Sequence, residues 1–312
     1  MIPATAHFIW FGNTFPWVYT LAIKSCLARG GFEKAVLHHD QDLSGLPWWN
    51  ELTALAGFEA RHLDPIAVLE GAPANGPALA ALYRQLEAPA SRANMVRAAI
   101  LATEGGVYLD TDTITVASLE PLRHRCGVFF GEEHIVFPGV VRRSHRPNIL
   151  ATALARTGMR EVCRRMAGGW QHFRHVESTY PLAANNAVMG ASSGHPFVLD
   201  LLDRMLSLPR HLQLKRFALG THLLQTAREE NSLSDVEVQS PPVFYPVGPE
   251  ISEHWFRAGS SARAGDLVRP ETLVVHWYAS VRTKAIIPLV DRTWVKNNSH
   301  RIAFAELALP FL

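Results

Sequence analysis

Cysteine is scarce in this chain: Cys26, Cys126 and Cys163 are the only three in 312 residues, and they are widely spaced. None belongs to a C-x-x-C pair, so the sequence offers neither a cysteine zinc site nor a disulfide framework. A chain with a few unpaired cysteines suits a reducing compartment. We therefore predict a cytoplasmic location.

A large net charge and a long apolar run are also missing. The formal net charge is +2, which is too small to indicate nucleic-acid binding. No run of 18 or more apolar residues predicts a membrane span, and no signal-peptide pattern precedes the first predicted strand. The mildly amphipathic tail, residues 303–312, leaves two options: peripheral contact with a membrane or partner, and packing on its own domain. We favour packing.

The sequence is rich in hydrophobic residues. Hydrophobic residues make up 48% of the chain and charged residues 19%, which allows a sizeable core and argues against disorder. The length fits one large domain or two small ones. Because no linker rich in proline, glycine and serine interrupts the chain, we predict a single domain over residues 1–312.

Strand and helix patterns alternate along the first part of the chain. The predicted elements are strands at 6–11, 34–39 and 58–63 and helices at 18–28 and 48–56. Such alternation is typical of an α/β fold, a mainly parallel, Rossmann-like sheet with helices on both faces. Ligands of such sheets bind beyond the carboxyl ends of the strands. Residues 147–176 are basic and of helical composition, which predicts a helical insertion.

The most informative stretch is residues 93–114, ANMVRAAILATEGGVYLDTDTI. Its first part is apolar at most positions, which predicts a helix buried on nearly all sides. The pair Gly105-Gly106 ends this helix, because glycine adopts the left-handed C-cap conformation without a Cβ clash. A short apolar segment of strand composition, 107–109, then leads into Asp110 and Asp112.

Asp110 and Asp112 are two carboxylates separated by one residue. On an extended segment this spacing places both on the same side. Hard oxygen ligands at a strand end suit a divalent cation that bridges to a diphosphate. The alternative is a turn in which both aspartates cap local N–H groups.

Arg97 is a charged residue inside the apolar helix. A buried arginine is rarely tolerated without a partner, and Asn94 lies three residues earlier on the same helical face. The alternative to a functional role is a structural ion pair, for which Glu104 is a candidate.

The order Asn94-x-x-Arg97, apolar helix and Gly-Gly-x-Tyr-x-Asp-x-Asp resembles the DXD sugar transferases of glycosyltransferase family 32. This family includes outer-chain α-1,6-mannosyltransferases, bacterial capsular sugar transferases and the glucosylating domain of large clostridial toxins. Three further segments match in the family's order: the opening I-P-x-x-x-H-x-x-W-x-G at 2–12, N-x-x-M followed by G-H-P-F at 186–197, and a late H-x-x-x-S at 276–280. The resemblance covers almost the whole chain.

This resemblance implies a GT-A-type fold and a metal-dependent retaining glycosyltransferase. Asp110 and Asp112 would bind Mn²⁺ or Mg²⁺, His276 would be a further metal ligand, and Arg97 would orient the sugar or phosphate. The residues implied for the donor are Trp10, which stacks on the base, and Asn94, Arg97, Tyr108, Asp110, Asn186 and Ser280. The nucleotide-binding half would be about residues 1–120 and the acceptor and sugar-binding half about 121–312.

Two positions depart from the family pattern. Asn94 stands where the family has aspartate, and an amide donates as well as accepts hydrogen bonds and carries no charge. Val281 stands where the family has a tryptophan after the serine, and Trp277 is the nearby residue that could replace it. Both departures bear on the donor, so the choice of donor sugar stays open.

The sequence predicts transfer of a sugar from a nucleotide-diphosphate donor, UDP-sugar first and GDP-mannose second. The acceptor is not identified, and a glycan, a natural product and a protein all remain open. Two other functions are also compatible with the residues. A catalytically weak nucleotide-sugar-binding pseudoenzyme would bind UDP and release no sugar, whereas a metal-dependent phosphohydrolase would use the paired aspartates to attack phosphorus.

Overall fold

The computed structural model of the chain describes residues 1–137, 146–215 and 217–312. Its strands are Thr5–Trp10 (β1), Lys34–His39 (β2), Phe58–His62 (β3), Gly106–Leu109 (β4), Thr113–Thr115 (β5), Val128–His134 (β6), Leu182–Ala191 (β7), Val236–Gln239 (β8) and Val274–His276 (β9). Its α-helices are Thr20–Arg29 (α1), Trp49–Thr53 (α2), Pro65–Glu70 (α3), Gly76–Tyr83 (α4), Pro89–Thr103 (α5), Glu120–Arg125 (α6), Pro147–Arg165 (α7), Gly169–Val176 (α8), Pro196–Ser207 (α9), Arg210–Gln213 (α10), Leu223–Glu230 (α11), Pro241–Phe244 (α12), Ala264–Leu267 (α13), Arg292–Asn298 (α14) and Ala303–Ala308 (α15).

Seven strands in the described part of the chain form one sheet, in the spatial order β3-β2-β1-β4-β7-β6-β8. Strand β7 runs antiparallel to its neighbours β4 and β6, and the other neighbouring pairs are parallel. The sheet is therefore mainly parallel, which confirms the predicted α/β fold. Strands β5 and β9 pair antiparallel with each other in a separate ribbon.

Both faces of the large sheet are covered by helices. Side chains alternate between the two faces of a strand, so Ile9 and Tyr108 pack with α3, α4, α5, α9 and α11, whereas Phe8 and Leu109 pack with α1, α2, α6 and α12. The central strands are buried for this reason, as is usual for parallel sheets. Their carboxyl ends are left to carry polar side chains.

The predicted elements of the first part of the chain are present with small shifts at their ends. The predicted strand 34–39 coincides with β2, and the strands at 6–11 and 58–63 appear as β1 and β3. The predicted helix 48–56 is shorter, since α2 ends at Thr53. A turn from Leu55 to Phe58, in which Gly57 has φ +83°, leads the chain into β3 and leaves no room for the last helical turn.

The carboxyl-terminal segment packs on the rest of the molecule. Phe304 and Phe311 are buried, and Phe304 stacks on Phe256 with ring centroids 4.4 Å apart. The apolar side chains of the tail are thus used in a core that it shares with α7 and α8, the helices found in the predicted insertion. None of the helices in the described ranges has both the length and the apolar character needed to span a bilayer.

Candidate active site

The helix before the two aspartates is buried, as predicted, and begins at Pro89, earlier than the sequence motif. Its residues from Met95 to Ala102 are buried without interruption. Gly105 and Gly106 follow with φ +69° and +100°, and a Cβ on Gly106 would lie 2.6 Å from the carbonyl oxygen of Thr5. A side chain is excluded here, so the glycine pair directs the chain from α5 into β4.

Asp110 and Asp112 do not lie on one extended segment, contrary to the prediction. Strand β4 ends at Leu109, and residues 110–112 form a turn into β5. The N–H of Asp110 still donates to the carbonyl of Ala187 in β7, at 2.8 Å, whereas the carbonyl of Asp112 accepts from the N–H of Trp277, at 3.0 Å. The chain changes partners from the large sheet to the ribbon within three residues, and this change forces the turn.

Asp110 is held by two residues of the same sequence stretch. Its Oδ1 accepts hydrogen bonds from Arg97 Nη2 at 3.0 Å and from the Tyr108 hydroxyl at 2.7 Å. The Arg97 guanidinium lies over the Tyr108 ring, 3.9 Å from its centroid, and Nη1 donates to the carbonyl of Asn186. Because both donors use Oδ1 of Asp110, its Oδ2 is left for a ligand. We call Asp110, Arg97 and Tyr108 the near arm.

Asp112 is held by residues from the far end of the chain. Its Oδ1 lies 3.0 Å from His276 Nε2, and its Oδ2 accepts from the N–H of Ala279 at 2.7 Å. The β5–β9 pairing creates this contact, because Thr113 pairs with His276 in the register of the ribbon. We call Asp112, His276 and Ala279 the far arm. The hydrogen bonds of both carboxylates therefore lead mainly to residues outside the turn, unlike in the local-capping alternative.

The two carboxylates have opposite pKa shifts. Burial raises the pKa of Asp110, although the charge of Arg97 partly offsets it. Burial also opposes ionisation of Asp112, but the charge and hydrogen bond of His276 and the N–H of Ala279 outweigh it and lower its pKa. The pKa of His276 is raised, because Asp112 and Asp110 overcome the effect of its burial. The site thus concentrates negative charge, which His276 balances when protonated.

These three side chains fit a divalent cation. Among the described residues, Asp110, Asp112 and His276 each offer a ligand atom, and these atoms all lie within 4.8 Å of one another. Two carboxylate oxygens and one imidazole nitrogen form a donor set that first-row divalent metals accept. The structure therefore brings together the three candidate metal ligands that the sequence suggested.

The predicted sugar-pocket residues Asn94 and Asn186 are in contact. Asn186 Nδ2 donates to Asn94 Oδ1 at 2.9 Å, although the two residues are 92 positions apart. The other side of Asn94 faces Gly220, where an added Cβ would lie 2.4 Å from Asn94 Nδ2. Ser280 is exposed and follows Ala279, so it lies at the rim of the far arm. Val281 is half-buried against the core and leaves this rim without an indole.

Trp10 ends β1 and belongs to an aromatic group that we call the Trp10 shelf: Trp10, Phe15 and Tyr19. The ring centroid of Trp10 lies 4.9 Å from that of Phe15 and 5.0 Å from that of Tyr19. Burial and the charge of Asp112 raise the pKa of Tyr19 to about 12, so the shelf lies within electrostatic reach of the far arm. The half-buried Trp10 ring thus contacts the tyrosine whose pKa Asp112 affects.

Sequence reasoning missed the residues behind the far arm. Tyr278 has φ +58°, an uncommon conformation for a large side chain. Its hydroxyl donates to Glu133 Oε2 at 2.5 Å, and its ring centroid lies 4.1 Å from that of His276. Glu133 is buried in β6, and the pair of acidic residues that follows the apolar start of this strand was the available signal. Tyr19 was also missed, because nothing local marks a tyrosine as part of a site.

Two partners suggested from the sequence are wrong. Glu104 does not pair with Arg97, since its carboxylate accepts from Arg61 Nη1 at 2.8 Å on the surface. Trp277 cannot replace the missing tryptophan as a diphosphate contact, because it is fully buried. Its ring stacks on Tyr19 with centroids 5.9 Å apart, so the indole is part of the core.

A protein-family model matches the part of the chain that carries both aspartates. Residues 32–127, which include both aspartates, match the family model described as "Glycosyltransferase sugar-binding region containing DXD motif". No curated protein sequence matches the chain significantly.

Several solved structures are similar to the fold at low sequence identity. The PaToxG glycosyltransferase is 16% identical, with 73% of this chain and 70% of that chain covered and a TM-score of 0.42. The UDP-bound glycosyltransferase domain of the YGT toxin is 10% identical, with 76% and 79% covered and a TM-score of 0.42. Mouse xyloside xylosyltransferase 1 is 11% identical, with 87% and 96% covered and a TM-score of 0.47.

The sequence resemblance to DXD sugar transferases is thus confirmed by the match over residues 32–127: this part of the chain is similar to a glycosyltransferase sugar-binding region and contains the DXD motif, Asp110-Thr111-Asp112.

Proposed function

We propose that this protein is a metal-dependent retaining glycosyltransferase that uses a UDP-sugar, with GDP-mannose as the second choice of donor. One observation carries the proposal: within the DXD region, Asp110 and Asp112 converge with His276 so that their ligand atoms lie within 4.8 Å. Of Mn²⁺ and Mg²⁺ we favour Mn²⁺, because imidazole is a poorer ligand for the harder Mg²⁺. Retention is taken from the family resemblance, and a cytoplasmic location remains a prediction.

The chain's own residues suit recognition of an anionic donor. A cation bound by Asp110, Asp112 and His276 would supply Lewis-acid stabilisation of the leaving diphosphate. Arg97 is fixed by its contacts to Asp110 and to the Asn186 carbonyl, so we assign it the orientation of the sugar or phosphate rather than proton transfer. The Trp10 shelf would bind the base through a face of its largest ring.

The predicted division of the chain into a nucleotide-binding half and a sugar- and acceptor-binding half needs one adjustment. We propose that residues from about 1–120 bind the nucleotide and residues from about 121–312 bind the sugar and acceptor. The candidate metal site, however, takes Asp110 and Asp112 from the first half and His276 from the second. Donor binding therefore depends on contacts between the halves.

Asn94 is our candidate for the choice of donor sugar. Its Oδ1 accepts from Asn186 and its NH₂ faces Gly220, so these two contacts fix the orientation of the amide that would meet a sugar hydroxyl. A site built to bond one hydroxyl discriminates strongly, because the wrong sugar leaves buried polar groups unpaired. Asn94→Asp should therefore change the ranking of donor sugars more than the affinity for UDP alone.

The test is a panel of nucleotide sugars incubated with the protein and Mn²⁺, Mg²⁺ or EDTA, with the products analysed by mass spectrometry. Transfer to water or an added acceptor releases free or linked sugar together with nucleoside diphosphate. Release of a sugar phosphate would identify a phosphohydrolase instead, and UDP binding without sugar release would identify a pseudoenzyme. The same panel with Asn94→Asp tests the sugar assignment, and an unchanged ranking would place Asn94 outside the pocket.

A further inference from the structure

A wide helical turn lies beside the predicted sugar-pocket residue Asn94. Residues Ala218–His222 form a single turn of π-helix directly before α11. The N–H of His222 donates to the carbonyl of Phe217, five residues earlier, at 3.2 Å. Phe217 has φ +69°, which is uncommon for a residue other than glycine. Isolated π turns are rare and frequently occur at functional sites. We call residues 218–222 the π turn.

The π turn is fixed on the body of the protein. It packs against α5, β7 and α11, and its Leu219 is buried in the same core as Met95 of α5. Helix α11, which continues the turn, is held to β7 because Gln225 Oε1 accepts from the N–H of Ala184 at 2.8 Å. The backbone of the turn therefore cannot easily move away from α5.

Gly220 of the π turn faces the Asn94 amide directly. Among the described residues, the three heavy atoms nearest to a Cβ added at Gly220 all belong to Asn94: Nδ2 at 2.4 Å, Cγ at 2.9 Å and Oδ1 at 3.1 Å. Packed carbon atoms approach to about 3.5–4.0 Å, so an added methyl group and the amide cannot both keep these positions. Since packing fixes the turn and α5, the amide is the group that would move.

The position of the Asn94 amide bears on the neighbouring part of the candidate site. Its Oδ1 accepts from Asn186 Nδ2 at 2.9 Å, and the backbone carbonyl of Asn186 accepts from Arg97, which also contacts Asp110. Displacing the amide would break the bond between the two asparagine side chains. The contact of Arg97 to the backbone carbonyl needs no change. The effect should therefore fall on the groups that the two amides present, and not on the metal ligands.

We propose that Gly220 is a specificity-determining residue for the donor sugar. By leaving room for the Asn94 amide, it sets which sugar hydroxyl groups find a hydrogen-bond partner. A pocket of this kind rejects a sugar that leaves its polar groups unpaired, so a displaced amide selects a different sugar. Gly220 is a positioning residue, because it acts through Asn94. The inference rests on the proposed function and deepens it.

The experiment compares Gly220→Ala with the wild type on a panel of nucleotide sugars with Mn²⁺, beside titration calorimetry with UDP. We expect the ratio of kcat/KM for the two best donor sugars to change by about tenfold or more. The affinity for UDP should stay within about twofold. Gly158→Ala is the matched control and should keep the wild-type ranking, because in the described ranges a Cβ there lies within 4 Å of no atom of another element.

The background Asn94→Ala separates positioning through the amide from a general structural role. In this background Gly220→Ala should leave the donor ranking and the urea midpoint of unfolding unchanged, since the atoms that a Cβ would meet are gone. In the wild-type background the same change should lower the urea midpoint. This comparison of stability needs no donor, so it also applies if Gly220→Ala is too unstable for the activity assay.

Two results would overturn the inference and leave the proposed function intact. The first is an unchanged donor ranking in a folded Gly220→Ala protein that transfers sugar. The second is an equal loss of stability from Gly220→Ala in the wild-type and Asn94→Ala backgrounds. Wild-type protein that binds UDP but transfers no sugar from the panel would instead contradict the proposed function, and the inference with it.

Discussion

The two aspartates of the DXD motif are separated by one residue but depend on different parts of the chain. The partners of Asp110 in the near arm are Tyr108 and Arg97, 2 and 13 residues away. The partners of Asp112 in the far arm are His276 and Ala279, 164 and 167 residues away. Asp110 is thus positioned by the local helix–turn–strand unit of α5 and β4. Asp112 is positioned by the long-range pairing of β5 with β9.

The two arms also differ in the groups that hold them. In the near arm a buried guanidinium is committed to a carboxylate, a backbone carbonyl and an aromatic ring. In the far arm His276 and the N–H of Ala279 hold Asp112, and both atoms of the His276–Asp112 contact are candidate metal ligands. We therefore expect near-arm changes to act on stability as well as function, and far-arm changes to act mainly on metal binding.

The largest effect should follow from a change in the far arm. We expect Asp112→Asn to reduce turnover by about 100-fold or more while leaving the fold intact, since it removes the charge of a proposed metal ligand. Steady-state rates with Mn²⁺, measured beside the exposed control Asp203→Asn, check this expectation. Full activity of Asp112→Asn, or of the wild type in EDTA, would contradict the metal role.

The second largest effect should come from Arg97→Gln in the near arm. Removing one member of a buried ion pair costs about 3–5 kcal/mol, and we expect the lower end because Asp110 is partly exposed. Urea denaturation gives the free energy of unfolding, and Arg84→Gln, at a surface ion pair, is the control. Unchanged stability of the Arg97 variant would remove the proposed difference between the arms.

Trp10→Ala tests nucleotide binding by a residue outside the two arms, and it should leave the contacts of both arms unchanged. We expect nucleotide affinity to fall by about 1–3 kcal/mol, the cost of losing one stacked base, with much of it recovered in Trp10→Phe. Isothermal titration calorimetry with UDP measures the nucleotide affinity. Trp49→Ala is the control, because Trp49 is another half-buried tryptophan. If a folded Trp10→Ala protein binds UDP as tightly as the wild type, Trp10 is a core residue only.

The smallest effect should come from Tyr278→Phe, behind the far arm. It removes the hydrogen bond to the buried Glu133, worth about 1 kcal/mol, while the ring stays against His276. We expect Mn²⁺ affinity to weaken about fivefold, because the loop that carries the Ala279 N–H is held less firmly. Electron paramagnetic resonance of free Mn²⁺ measures this affinity, and Tyr83→Phe is the control variant. An equal loss in both variants would mean that the effect is not local.

The elements that carry the near arm were predictable from the sequence, whereas the pairing of Arg97 with Asp110 was not. The buried helix, its glycine end and the following strand are local features, dictated by apolar composition and by the backbone freedom of Gly105 and Gly106. The parallel order of β1, β2 and β3 follows from the alternation of strand and helix patterns in that region. Such features need no contacts beyond a few tens of residues.

Only the tertiary structure decided the far arm and the surroundings of the site. The turn at 110–112 arises because the chain leaves the large sheet for the β5–β9 ribbon, and a period-two pattern cannot reveal a change of partner strand. Family resemblance suggested His276, but its distance to Asp112 and the support from Tyr278 and Glu133 depend on the register of strands far apart in sequence. Sequence fixes local conformation through backbone sterics and apolar periodicity, whereas long-range pairing is selected by the packing of the whole chain.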